Sequence, residues 1–84
     1  MSMRIKEVRK KYEGRSNRSR GVVMETELGN KFKILSDIST DSYVLVRCTF
    51  IKKPLPGVQA IEGLNVGDEM PFDDDNVIAK IISE

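Results

Sequence analysis

The chain has 84 residues, 39% of them hydrophobic and 32% charged, with a formal net charge of +1. That is enough for one small domain, whose core is too slight to enclose a deep catalytic cleft. The absence of histidine removes the usual general base near neutral pH, the commonest metal ligand and every Ser-His or Cys-His nucleophile pair.

In chain order, residues 1–20 come first, with eight lysines and arginines against two acids; the remaining residues have six against eleven. This asymmetry predicts a basic, partly flexible N-terminal arm over residues 1–20 and a single acidic body over residues 21–84. Within the arm, Ile5, Val8 and Tyr12 fall at helical spacing, although Ile5 and Val8 also suit the start of a strand. Residues 14–21 (GRSNRSRG) carry no apolar side chain and read as a linker or mobile loop. No apolar run approaches the roughly 18 residues of a membrane span, and no apolar segment of a secretory signal follows the basic start.

From Val22 the pattern has period two. Val22, Met24 and Thr26 alternate with Val23, Glu25 and Glu27, and after Leu28-Gly29-Asn30 Phe32 and Ile34 alternate with Lys31 and Lys33. A two-residue Gly29-Asn30 turn would set Glu27 against Phe32 and mix the faces. A three-residue loop, Leu28 to Asn30, sets Thr26 against Phe32 and Met24 against Ile34, with Glu27 and Glu25 against Lys31 and Lys33. The second register is preferred, with Asn30 or Gly29 left-handed.

Residues 36–42 (SDISTDS) form a turn-rich connection. The next strand, SYVLVRCTFIKK, is the clearest: Val44, Val46, Cys48 and Phe50 share one face, and Tyr43, Leu45, Arg47, Thr49 and Ile51 the other. Both faces are partly apolar, which predicts a central or strongly curved strand with Phe50 buried. KPLPG (53–57) ends it, because its prolines cannot sit in a central ladder. VQAIEGL (58–64) suits a short strand or a helical turn. NVGDEMPF then gives a bend at Gly67 and a strand with Met70 and Phe72 inward, DDDN (73–76) a loop, and NVIAKIIS one last strand. The expected fold is mainly β, a small five- to six-stranded barrel, OB-like or SH3-like. Leu64, Val66, Gly67, Asp68 and Phe72 form a phrase, L-x-V-G-D-x-x-x-F, that resembles a turn-to-strand passage of many small barrels of those two kinds.

The arm points to phosphate. Arg9, Lys10, Lys11, Arg15, Arg18 and Arg20 would draw a polyanion by counterion release, and arginine suits bidentate phosphate contact. Tyr12 and Tyr43 are the rings left for base stacking, and Arg47, Lys52 and Lys53 would extend the basic surface. The preferred reading of Lys52 and Lys53 beside Pro54, however, is that they block edge pairing. The expected function is non-catalytic binding of RNA or single-stranded DNA. The alternative is a protein-interaction module, an adaptor or a regulator of a larger enzyme or complex, with the acids at Asp68, Glu69 and Asp73 to Asp75 facing a basic partner. A subunit of a homo-oligomeric ring or shell is a third possibility. Nucleic-acid binding predicts one continuous positive face; the alternative predicts separate patches and an apolar strip on an edge strand.

No cofactor or metal is expected. Asp73-Asp74-Asp75-Asn76 lacks the spacing, glycine and terminal glutamate of a calcium loop and reads as a solvated turn. Cys48 alternates with apolar residues and reads as a core filler. One cysteine makes no internal disulfide, which fits a reducing, cytoplasmic compartment.

Overall fold

A computed structural model describes residues 2–52 and 63–84. The expectations for Lys53, Pro54 to Gly57 and residues 58–62 lie outside the described residues. The elements are β1 (Met3–Arg4), α1 (Ile5–Lys11), β2 (Val23–Glu25), β3 (Lys31–Ile34), β4 (Val44–Phe50), β5 (Glu69–Phe72), β6 (Val77–Ile78) and β7 (Lys80–Ser83). The fold is mainly β with one short helix, and its strands form two antiparallel sheets: β1 with β6, and five strands in the order β5-β4-β3-β2-β7.

Residues 3–12 use both local options that their spacing allows. Met3 and Arg4 are extended and pair with Ile78 and Val77. The chain then turns helical, and Ile5, Val8 and Tyr12 align on one buried face. No side chain caps this helix. Its first free N–H groups, those of Ile5 and Lys6, instead donate to the carbonyls of Asn76 and Asp74 at 2.9 and 3.0 Å. The acidic loop is shaped for this by its own side chains: Asp73 Oδ1 accepts the N–H groups of Asp75 and Asn76, and Asn76 Oδ1 accepts that of Asp73.

The hairpin keeps the expected faces but slides by two residues. Met24 pairs with Phe32 and Glu25 with Lys31. The loop is Glu27 to Gly29, closed by Thr26 N–H to the Asn30 carbonyl at 2.8 Å, with Gly29 N–H returning to the Thr26 carbonyl. Gly29 sits at φ +86°, the position that a type I turn followed by a left-handed residue demands. The glycine thus ends the loop instead of lying at its centre.

Strand β4 is central, as its two apolar faces predict, with β3 and β5 on either side. Val44, Val46 and Cys48 are buried. Phe50 is not: it is 46% exposed, which corrects the expectation that it shares their face. The ladder shifts between Lys31 and Phe32, so that Phe32 faces Cys48 while Lys31 faces Phe50, leaving Thr49 as an extra residue. A one-residue bulge reverses the side-chain alternation beyond it, so Phe50 leaves on the outer side.

The last strand breaks at Ala79, whose N–H donates to the Glu25 carbonyl at 2.7 Å. Its first part joins β1 and its second joins β2. The break lets Ile78 and Ile81 both face the core, while Ile82 turns outward.

One core gathers Ile5, Val8 and Tyr12 from the helical segment, Val22, Met24, Phe32, Ile34, Val44, Val46 and Cys48 from the sheet, and Ile38, Phe72 and Ile78. Phe32 and Phe72 meet edge to face at 5.1 Å. Residues 1–20 therefore pack into the body at their helix, because its apolar stripe has the sheet's inner face to cover.

Candidate nucleic-acid interface

The residues expected to grip phosphate fall into three environments. Arg9 is committed to the protein itself. Its Nε bonds Asp74 Oδ1 at 2.9 Å, and its Nη1 donates to the carbonyls of Ile38 and Asp41 at 2.8 and 2.6 Å. Its Nη2 is buried with no partner among the described residues. Arg9 thus staples the helix to two loops. Lys11 pairs with Glu84, and its ammonium lies 5.7 Å from the Tyr12 ring centre.

Tyr12 is a core residue, which corrects its expected role as a stacking ring: the ring is buried and its hydroxyl donates to Glu84 Oε1 at 3.0 Å. Burial, then the bond and charge of Glu84, push the phenol up to about 12 from 10.0. Lys11 first, then Tyr12, hold the Glu84 carboxyl below its ordinary value. A phenol kept neutral in the fold supports stability below its unfolded value and withdraws that support as pH rises through the folded one. The Tyr12→Phe chain is therefore expected to lose less stability than the wild type between pH 10.0 and about 12. Urea titrations of both chains across that range measure it, and parallel pH profiles would refute it. Cys48, whose thiol burial pushes upward, is common to both chains and cancels.

Arg15, Arg18 and Arg20 are exposed and take part in no ion pair among the described residues. They stand on the loop that composition marks as mobile, and this loop is tied down at three residues. Asp37 Oδ2 accepts the Ser16 hydroxyl at 3.1 Å and the Asn17 N–H at 2.9 Å. The fully buried Ser19 hydroxyl donates to the Ser36 carbonyl and accepts the Ile38 N–H at 3.0 Å. Asn17 takes φ +63°, a left-handed turn that asparagine tolerates. A segment without apolar side chains is fixed here through its small polar ones. The Ser39 hydroxyl first, then the Asn17 N–H, hold the Asp37 carboxyl down at about 2. Arg15 and Arg18 border a recess of about 510 Å³ with Tyr12 and Glu84.

Arg47 and Lys52 lie elsewhere. The helix covers the inner side of the sheet and leaves Lys10 exposed, whereas Arg47 projects from the sheet's outer side, where its Nη2 meets Glu69 Oε1 at 2.7 Å. Lys52 is exposed and its N–H donates to Asn30 Oδ1. Tyr43 is exposed, beside Pro71, Asp73 and Asp74, an acidic setting for a nucleic-acid contact. The described residues thus form separate positive patches on two sides of the sheet.

Three outer-face residues fall outside the expected site: Lys31, Lys33 and Phe50, whose ring the alternation places in the core. The lysines are legible in the KFK alternation, which places them opposite Phe32. Phe50 is not legible, because the bulge that exposes it depends on pairing. No protein-family model, curated protein or solved structure matches this chain.

Proposed function

We propose that this chain is a non-catalytic domain that binds RNA or single-stranded DNA through phosphate contacts, in the reducing setting of the cytoplasm that its single buried thiol fits. The observation that carries this reading is the loop of residues 14–21, which offers three exposed arginines on a backbone held by Asp37. Guanidinium groups with no internal ion pair to break meet phosphate at little cost in reorganisation. The strand order supports a small barrel of the SH3-like kind: β2 to β5 run as a meander, and the final β7 returns beside β2. Closure would then bring β5 and β7 together.

The test is fluorescence anisotropy of labelled single strands of about 12 nucleotides, with the intact chain and an Arg15→Ser, Arg18→Ser, Arg20→Ser chain. At salt between about 50 and 200 mM, each phosphate contact on a single strand contributes about 0.7 to the log–log slope, so the triple variant is expected to lose about two units of slope. Its affinity at low salt is expected to fall at least roughly tenfold. No binding by the intact chain at low salt overturns the reading.

A protein-interaction module is the second reading, favoured by the separation of the positive patches and by the edge at β7. The other edge, β5, is poorly suited to strand addition. Residues 45 and 48 of β4 bond toward β3 and β5 respectively, so by ladder alternation Pro71, opposite Leu45, turns its nitrogen outward, where it has no N–H to offer. Strand β7 has no second neighbour among the described residues and exposes Ile82.

A further inference from the structure

We infer that the outer face of the five-stranded sheet is a base-stacking platform for single-stranded nucleic acid, centred on Phe50. This rests on the nucleic-acid reading above and adds a second contact surface, with a different chemistry, to the arginine loop.

Three observations meet at this face. The first is the ring itself. Phe32 and Phe72 are buried, yet Phe50, which follows the inward-facing Val44, Val46 and Cys48 on its strand, is turned out to 46% exposure by the bulge at Thr49. The Thr49 hydroxyl donates to the Lys31 carbonyl at 3.3 Å across that bulge. Bulges re-aim side chains near functional sites. A large apolar ring held toward water contributes little to the core and is free to stack.

The second observation is the charge around it. Lys31 is the cross-strand partner of Phe50, and its ammonium stands 5.1 Å from the ring centre. Lys33 is the cross-strand partner of Arg47. Like charges set directly opposite each other destabilise a sheet. Arg47 has Glu69 on its other side, but Lys33 has no ion pair among the described residues. Lys52 follows Phe50 closely, and its side chain lies where a Cβ on Gly29 would clash at 2.6 Å. One cation, Lys31, thus stands against the exposed ring, and Lys33 and Arg47 lie further along the same face, with Glu69 and the half-buried Glu25 as the acids facing them. A local arrangement that opposes the fold's own stability is expected where a ligand relieves it.

The third is shape. A sheet face is open and nearly flat, so a base reaches the ring only if it has left its own stack. That favours a single strand over a duplex. A base stacking on Phe50 displaces the Lys31 ammonium from the ring toward the adjoining phosphate, and Lys33 and Arg47 follow the strand's backbone. Every base has a π face, so this contact is tolerant of sequence.

The test uses the full chain and three labelled probes of about 12 units: a single strand of oligouridylate, an abasic strand of equal charge and a duplex. The wild type is expected to bind the oligouridylate roughly tenfold more tightly than the abasic strand. Phe50→Ala is expected to lose that advantage while binding the abasic strand as the wild type does. The chain contains no tryptophan, so Phe50→Trp supplies a lone indole. Its fluorescence is expected to be quenched by the oligouridylate and unchanged by the abasic strand. If the wild type binds but Phe50→Ala binds both single strands equally well as wild type, or the indole is not quenched, the platform is refuted and the arginine loop stands. A duplex bound as tightly as the single strand, with equal sensitivity to Phe50, also refutes it. If the wild type binds none of the probes at low salt, the nucleic-acid reading falls and the platform falls with it.

Discussion

Residues 21–84 alone are expected to lose the cooperative unfolding transition of the full chain. The physical case lies in what residues 1–20 bury. Ile5, Val8 and Tyr12 are each at most 4% exposed, within one cluster with Met24, Phe32 and Ile34. Burying a side chain of this size contributes about 1.5–3 kcal/mol. A small domain has about 5–15 kcal/mol of stability in total. Removing three such side chains approaches that whole margin, and it also exposes the apolar residues they cover. Further losses follow: β6 loses its only strand partner among the described residues, and the buried Ile38 N–H loses the Ser19 hydroxyl. Urea unfolding followed by circular dichroism reads the outcome. A truncated chain with the full chain's midpoint and slope would show that the basic segment is an appendage after all. The same reasoning makes truncation a poor probe of the segment's charge, and substitution of the exposed arginines the right one.

Asp37→Asn is expected to loosen the arginine loop and remove an acid-sensitive part of the stability. The carboxylate accepts four hydrogen bonds: Oδ1 from the Ser39 N–H and hydroxyl at 3.1 and 2.6 Å, and Oδ2 from the Asn17 N–H and the Ser16 hydroxyl. An asparagine in the same place keeps one acceptor. Its amide nitrogen would face the Asn17 N–H, donor against donor. The sign of the pH effect follows from the direction of the shift. A carboxyl held down at about 2, against 3.8 ordinarily, supports the fold above its unfolded value and loses that support as pH falls between the two. The wild type should therefore lose stability through that window more steeply than the variant, and the variant should melt at a lower temperature at neutral pH. Amide exchange at Asn17 and at Arg18 should speed up with it. Unchanged exchange and parallel acid profiles would mean that Asp37 does not hold the loop.

Side-chain alternation made the faces of this protein legible. Lys31 and Lys33 sit opposite Phe32 and Ile34, and Val44, Val46 and Cys48 point inward, because a strand at a single buried face tolerates only one phase. The helical spacing of Ile5, Val8 and Tyr12 was legible as well. The register was less so. A slide of two residues keeps every face, so face matching alone does not choose between the predicted hairpin and the observed one. The conformation of Gly29 makes that choice.

What composition misjudged was attachment. Charge marks residues 1–20 as an arm able to dock on the Asp-rich loop, but no local property reveals that Arg9 is the residue that reaches Asp74 or that Ser16, Asn17 and Ser19 will find Asp37, Ser36 and Ile38. Hydrogen-bond partners 17 to 65 positions apart exist only once the sheet has brought them together.

The candidate site divides in the same way. Composition and alternation establish a mainly β chain with arginines clustered between Arg15 and Arg20 and no histidine. Which rings and cations are available follows from packing. Packing drew Tyr12 into the core and Arg9 into an internal staple, while one extra residue at Thr49 turned Phe50 outward beside Lys31. A side chain's exposure depends on what lies across from it, and pairing between distant segments sets that.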